Sequence, residues 1–328
     1  DDVSLSKEDL GKISKIVVLA CGSAYHVGMN AKYILEKIAR IPVEVDLASE
    51  FRYRDPIIDE SVLVLVISQS GETADTLALR EAKRLGARVI SIVNVVGSSI
   101  ANDSDDVLYT WAGPEIAVAT TKAYSTQLAV VYLLALYLGE KRNTITTDQL
   151  ERYVKGLENL PNQIQEILEH QETIQYLASQ YFNSRDIFFI GRNLDYSMSL
   201  EGSLKLKEIS YINSFAIAAG ELKHGTIALI EDGTLVVSIA AQDRLFEKML
   251  SNIQEVKARG ADILALAKES NTAVERQADD VIYIPECMDE ITPLISIVPL
   301  QILAYYIAKQ RGCDIDKPKN LAKSVTVE

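Results

Sequence analysis

Apolar residues fall in short unbroken runs along this chain, each followed by a stretch of mixed polarity with helical spacing. KIVVLA (15–20), VLVLVI (62–67), IFFIG (187–191) and TLVVSIA (234–240) are such runs. A strand with one wet face alternates polar and apolar positions. Runs without alternation are strands covered on both faces, the mark of a parallel sheet with helices on either side. KIVVLACGSAYHVGMNAKYILEKI (15–38) reads as strand, glycine turn, helix, and RDIFFIGRNLDYSMSLEGSLKLKEI (185–209) repeats that plan.

The repetition continues downstream. If Gly22 answers Gly191, then ASEF (48–51) answers AGEL (219–222) and REAKRLGARVISIVN (80–94) answers QEVKARGADILALAK (254–268). SDDVLYTW (104–111) answers ADDVIYIP (278–285), and the Gly86–Gly260 and Asp105–Asp279 pairs share one spacing. Such self-similarity is a duplication. The expected fold is α/β, two tandem doubly wound parallel-sheet domains followed by an irregular C-terminal tail. The first domain spans 1–148, a helical connector 149–180, the second domain 181–312 and the tail 313–328. The connector pattern, 146–182, predicts a helical break near Pro161.

Composition narrows the function classes. The 328 residues are 48% apolar and 24% charged, with net charge −13 and a pI near 4.9. That acidity argues against nucleic acid or an anionic membrane as partner, because both are bound through Lys/Arg patches. Cys21, Cys287 and Cys313 are widely spaced, without metal-ligand or disulfide-framework spacing, so no metal is expected and a reduced cytoplasmic setting is. The apolar run 128–138 has the length of a core helix rather than a span. The N-terminus, DDVSLSKEDL, is acidic and unlike a signal peptide, and without an initiating Met the chain reads as part of something longer.

One stretch, VISQSGETADT (66–76), brings Ser68, Ser70, Thr73 and Thr76 around Gly71 at the end of a predicted strand. Strand ends in parallel sheets are where ligands bind. Hydroxyls, a helix N-terminus and a glycine that lets backbone approach a ligand suit a phosphate. The plainer reading is an N-cap with its following Glu. A single cap uses one hydroxyl, and the matching stretch of the second half, VVSIAAQDRLFEK (236–248), has lost the cluster. In LEGSLKLKEIS, Glu201, Lys205 and Glu208 share one helix face. They suit a proton shuttle, though on the residues alone a solvated ion-paired surface is the plainer reading. Of three histidines, His170 lies in the connector and His26 in the first turn–helix, while His224 sits in the loop GELKHGTIAL.

Together S-x-S-G-E-T, the duplicated unit, AGELKHG and the terminal NLAKSVTVE resemble the isomerase half of the glucosamine-6-phosphate synthase family, built from two sugar isomerase (SIS) domains. The resemblance covers about residue 10 to Glu328. It implies an enzyme converting fructose 6-phosphate to glucosamine 6-phosphate, without a cofactor, in hexosamine synthesis. It assigns Ser68, Gln69, Ser70 and Thr73 to the phosphate, and Ser23, Val118, Ala119, Thr120, Glu201 and Ala322 to the sugar site. It makes Glu208 the base, Lys205 a sugar-oxygen contact, His224 the ring-opening residue reaching across a homodimer, and Lys323 the Schiff-base lysine on a tail closed over the site. The family's glutaminase domain is absent from this chain, so glutamine use is not expected of it. Glucose 6-phosphate is the expected product of isomerisation alone. Ala24 loses a hydroxyl that many members have, Lys319 stands where Arg is common, and Cys21 is a small strand-end residue. A SIS sensor of amino-sugar phosphates, or a deglycase or deaminase relative, shares part of the pattern.

Overall fold

The computed structural model describes residues 3–72 and 74–323. The chain divides into two compact units. The first runs to Ile116, then takes Thr120–Val154 and the residues from Ala322; the second takes Ala117–Ala119 and Lys155–Leu321.

In the first unit β1 (Lys15–Ala20), β2 (Val43–Leu47), β3 (Val62–Ser68), β4 (Arg88–Val93) and β5 (Asp106–Tyr109) form one sheet in the order β2-β1-β3-β4-β5, with every pairing parallel. Helices α1 (Lys7–Lys12), α2 (Gly22–Ile38), α3 (Ala48–Phe51), α4 (Ala74–Arg84), α5 (Ser99–Asp103) and α6 (Lys122–Lys141) surround it. All seven residues of β3 are buried. Val17, Leu19, Val64 and Val66 pack with Phe51, Leu79 and Ile100, while α2 and α6 lie against one another and against the sheet. This is the two-sided burial that unbroken apolar runs require.

The second unit repeats the arrangement. Strands β6 (Asp186–Gly191), β7 (Asn213–Ala218), β8 (Leu235–Ala240), β9 (Asp262–Lys268) and β10 (Asp280–Ile284) follow the same order, β7-β6-β8-β9-β10. Its helices are α7 (Thr147–Glu169), which begins in the first unit, α8 (Gln171–Tyr181), α9 (Leu194–Ser210), α10 (Phe246–Lys257) and α11 (Thr292–Gln310). Equivalent residues make equivalent bonds. Asp105 accepts from the Val89 N–H at 2.8 Å and from Lys83 at 2.9 Å. Asp279 accepts from the Ile263 N–H and from Lys257, both at 2.9 Å. The doubly wound α/β duplication is present as expected.

Two local expectations are corrected. Ala20 pairs with Leu47 just before ASEF, and Gly191 pairs with Ala218 just before AGEL, so Gly191 answers Ala20. Gly22 answers Asn193, and both have positive φ, 56° and 55°, a range that Asn enters more readily than most side chains. Gly191 is glycine for another reason, since a Cβ there would lie 2.4 Å from the Asp195 backbone. Pro161 does not break the connector: α7 runs through it, and the break falls at His170. Leu160 and Ile167 are buried on either side and the Gln163 amide donates to the Glu286 carbonyl at 2.8 Å, which offsets the bond a mid-helix proline forfeits. The 128–138 stretch lies in α6 with most of its residues buried, the core helix that was expected, and α11 is a second long apolar helix. It has the length and composition of a span, yet it is largely buried within its unit, against α8 and α9.

Candidate active site

In the first unit β1 and β3 are sequence-distant neighbours in the sheet, so their helices leave on opposite faces and open a crevice at their carboxyl ends. The turn after β3 lies there. Ser68 is buried and accepts the Gly71 N–H at 3.3 Å; Ser70, partly exposed, accepts the Glu72 N–H at 3.3 Å. Glu72 bonds at the start of α5. Its carboxylate takes the Ser99 N–H and hydroxyl, both at 2.6 Å, and those bonds lower its pKa. Gly71 has φ 71°, and a Cβ there would sit 2.2 Å from Ser98 Oγ. Its glycine is therefore demanded by packing on Ser98, where the sequence suggested room for a ligand. Gln69 is held by Gln127 of α6 at 3.5 Å. Ser23 lies in the first turn of α2, at the end of β1. Thr73 lies outside the described residues. Cys21, the cap of α2, is pushed up to about 12 by burial and by nearby Asp75, which leaves it a thiol.

The segment before α6 carries a residue that sequence reading missed. Glu115 is nearly buried and accepts from Thr120 Oγ1 at 2.6 Å, from the Thr121 N–H at 2.8 Å and from Lys323 Nζ at 2.7 Å. Burial pushes its carboxyl upward; the bonds from Lys323, Thr120 and Thr121 outweigh that and hold it below the usual carboxylate range. The side chain of its N-cap, Thr121, makes no capping bond, so the upstream carboxylate serves the helix start. An N-terminus whose Thr does not cap it was the available signal. Ala322 is exposed beside Lys323.

In the second unit α9 carries the charged triad. The helix is embedded: Gly202 allows Leu300 of α11 and Phe189 of β6 to approach so closely that a Cβ would lie 2.9 and 3.1 Å from them. The triad is accordingly an interior feature, and the solvated-surface alternative fails. Glu201 is fully buried, Lys205 nearly so, and Glu208 keeps a fifth of its side chain exposed. Lys205 Nζ lies 3.4 Å from Glu201 and 2.5 Å from Glu208. Burial favours the neutral amine, but the two carboxylates more than reverse this and raise the lysine's pKa. Lys205 thus lies between the two carboxyl groups, and Glu208, with Oε2 buried, is the partly exposed member of the three, an arrangement fit to accept and return a proton.

His224 ends a short 3-10 turn (Ala219–His224) after β7 and is exposed; Gly225 follows at φ 144°. Ala119 is buried, and the Val118 N–H donates to the Asp316 carbonyl at 2.9 Å. The described part of the tail, to Lys323, is irregular. Arg311 binds the Ser210 and Phe182 carbonyls, and the Lys319 N–H donates to Tyr211 Oη at 2.8 Å while its ammonium sits over the same ring at 4.3 Å. Lys319 thus spends its charge on an aromatic face. His170 is exposed at the α7–α8 junction. Among the described residues no group of His, Cys, Asp or Glu could hold a metal.

A family model described as SIS domain matches residues 9–137 and 180–309. The glutamine–fructose-6-phosphate aminotransferase (isomerizing) of Caldanaerobacter subterraneus subsp. tengcongensis is 60% identical over all of this chain. The chain spans about half the length of the curated relatives it matches, 54% in that case. Among solved structures, the C-terminal domain of glucosamine-fructose-6-phosphate aminotransferase from Francisella tularensis superimposes with TM-score 0.90 at 39% identity, covering 95% of this chain and 89% of that one. A glucosamine-6-phosphate deaminase from Thermotoga maritima gives 0.77 at 26%, covering 97% and 92%.

Proposed function

Since the chain belongs to the SIS domain family and corresponds to the C-terminal, isomerase half of glutamine–fructose-6-phosphate aminotransferases, we propose that it is the part of such an enzyme that binds fructose 6-phosphate and carries it to glucosamine 6-phosphate. The observation that carries this reading is the buried Glu201–Lys205–Glu208 cluster with the partly exposed Glu208 carboxylate. Ser68, Gln69, Ser70 and Thr73 take the phosphate, with Ser23, Val118, Ala119, Thr120 and Ala322 around the sugar. His224 opens the ring from a second copy of the chain; its exposure in the single chain agrees with that. Lys323, held by Glu115, adds its amine to the C2 carbonyl and loses water to form an imine. Ammonia from a glutaminase domain of the longer protein displaces the lysine. Glu208 then removes a proton from C1 and returns it to C2, while the Lys205 ammonium holds that carboxylate in place. Without ammonia the same transfer converts fructose 6-phosphate to glucose 6-phosphate. The setting is the cytoplasm.

The deaminase and sensor readings have less support: the deaminase likeness is 26% in identity against 60% for the aminotransferase. The test is formation of glucose 6-phosphate from fructose 6-phosphate by the purified chain and by Glu208→Gln. Conversion by the parent that falls at least about a hundredfold in the variant, with sugar-phosphate binding retained, is expected. Binding without conversion in the parent would favour the sensor; equal conversion in both would remove Glu208 from its role.

A further inference from the structure

Strand pairing defines which residues of the second unit answer the phosphate turn of the first. Ala20 pairs with Ile67, and Ile190, one residue before Gly191, pairs with Ser238. Gly71 and Glu72 therefore answer Asp243 and Arg244. In the first unit the N–H groups of Gly71 and Glu72 meet serine hydroxyls at 3.3 Å. In the second the serines are gone, and the same two N–H groups meet one carboxylate. Asp243 N–H donates to Asp289 Oδ1 at 2.8 Å and Arg244 N–H to Asp289 Oδ2 at 3.2 Å.

A buried cation completes the arrangement. Lys268, the last residue of β9 and fully buried, donates from Nζ to Asp289 Oδ1 at 2.8 Å and to Asp243 Oδ2 at 2.8 Å. The two preceding N–H groups of the turn, Ala241 and Gln242, point at the fully buried Asp195 at 3.1 and 3.4 Å. Four successive backbone N–H groups thus converge on aspartate side chains of their own chain. Successive N–H groups turned to one side make an anion-binding concavity. Two N–H bonds plus an ammonium are what an oxyanion ligand receives in such a place.

We infer that the second unit keeps the anion-binding turn of its duplicate and fills it from within, Asp289 occupying the seat of a ligand oxyanion and Lys268 serving as its resident counter-cation. The chain then carries one sugar-phosphate site, in the first unit, and a closed oxyanion site in the second. The contacts of the second unit stand whatever the first unit binds, so this inference and the proposed function can fail separately.

The experiment is chemical rescue. Asp289→Ala, made in a Ser70→Ala background that weakens the first site, is heated with inorganic phosphate or formate at constant ionic strength. Its unfolding midpoint is expected below that of Ser70→Ala alone and to rise saturably with either anion. Adding Lys268→Met should weaken the half-saturating phosphate concentration by about tenfold or more, the worth of a charge-assisted bond. Asp289→Ser, which leaves a small polar group in the seat, serves if the alanine variant does not fold without anion; folding only in phosphate or formate also supports the inference. A folded variant with no saturable response beyond that of Ser70→Ala, or variants that stay unfolded at saturating phosphate and formate, would overturn it.

Discussion

Asp195 is fully buried in the first turn of α9; its Oδ2 accepts two N–H groups while Oδ1 has no hydrogen-bond partner among the described residues. Burial pushes its pKa up to about 7, against the bonds from Gln242 and Ala241. The folded state therefore holds a proton that the unfolded chain has released above about pH 3.9. Stability from this residue is lost as pH rises from about 4 to about 7, at up to about 1.4 kcal/mol per unit. Asp195→Asn removes that slope. Its stability relative to the parent, from urea unfolding at pH 5 and pH 8, should increase toward pH 8; a difference independent of pH would show that Asp195 is ionised throughout. Sequence gave no hint of this, because an Asp in a first helical turn is ordinarily an exposed dipole partner. The i, i+4, i+7 spacing of Glu201, Lys205 and Glu208 was legible; their burial was not, since it comes from α11, about ninety residues on. Glu115 with Lys323, and Asp289 with Lys268, were invisible for the same reason. Each is a pair made by tertiary structure.

At the scale of elements, α9 is held by what Gly202 lacks. Gly202→Val should push Leu300 and Phe189 away and cost about 1–3 kcal/mol, the usual range for overpacking. The same variant should lower turnover more than it raises the KM for fructose 6-phosphate, since the phosphate turn belongs to another unit. Denaturant unfolding and steady-state kinetics check both, and a change in KM alone would detach α9 from the chemistry. Strands and helices of the sheet were readable from their apolar runs because burial on both faces leaves an unbroken pattern. The turns were less so. Gly22 was matched to the wrong partner because Asn193 takes the positive-φ position there, and Pro161 was overvalued because packing on both sides keeps α7 continuous.

The whole molecule is acidic, with net charge −13, and its proposed substrate is an anion. The long-range field opposes approach, while the turn after β3 attracts only at contact. Raising ionic strength with NaCl from about 0.02 to about 0.15 M shortens the screening length to about 8 Å. The second-order rate constant for sugar-phosphate binding, read by stopped flow, should therefore rise with salt; a fall would mean that local cations already dominate the approach. The duplication was legible at this scale because both copies retain residues whose work is structural. Asp105 and Asp279 bond the start of a central strand to the loop beyond it in the same way in each copy, and neither bond touches the proposed chemistry. The scaffold and the site were thus separable inheritances: after the gene doubled, one copy was free to drift in its turn without loosening its sheet. A module built this way invites transplantation, since the serine turn of the first copy and the sealed turn of the second are interchangeable parts set in matching sockets.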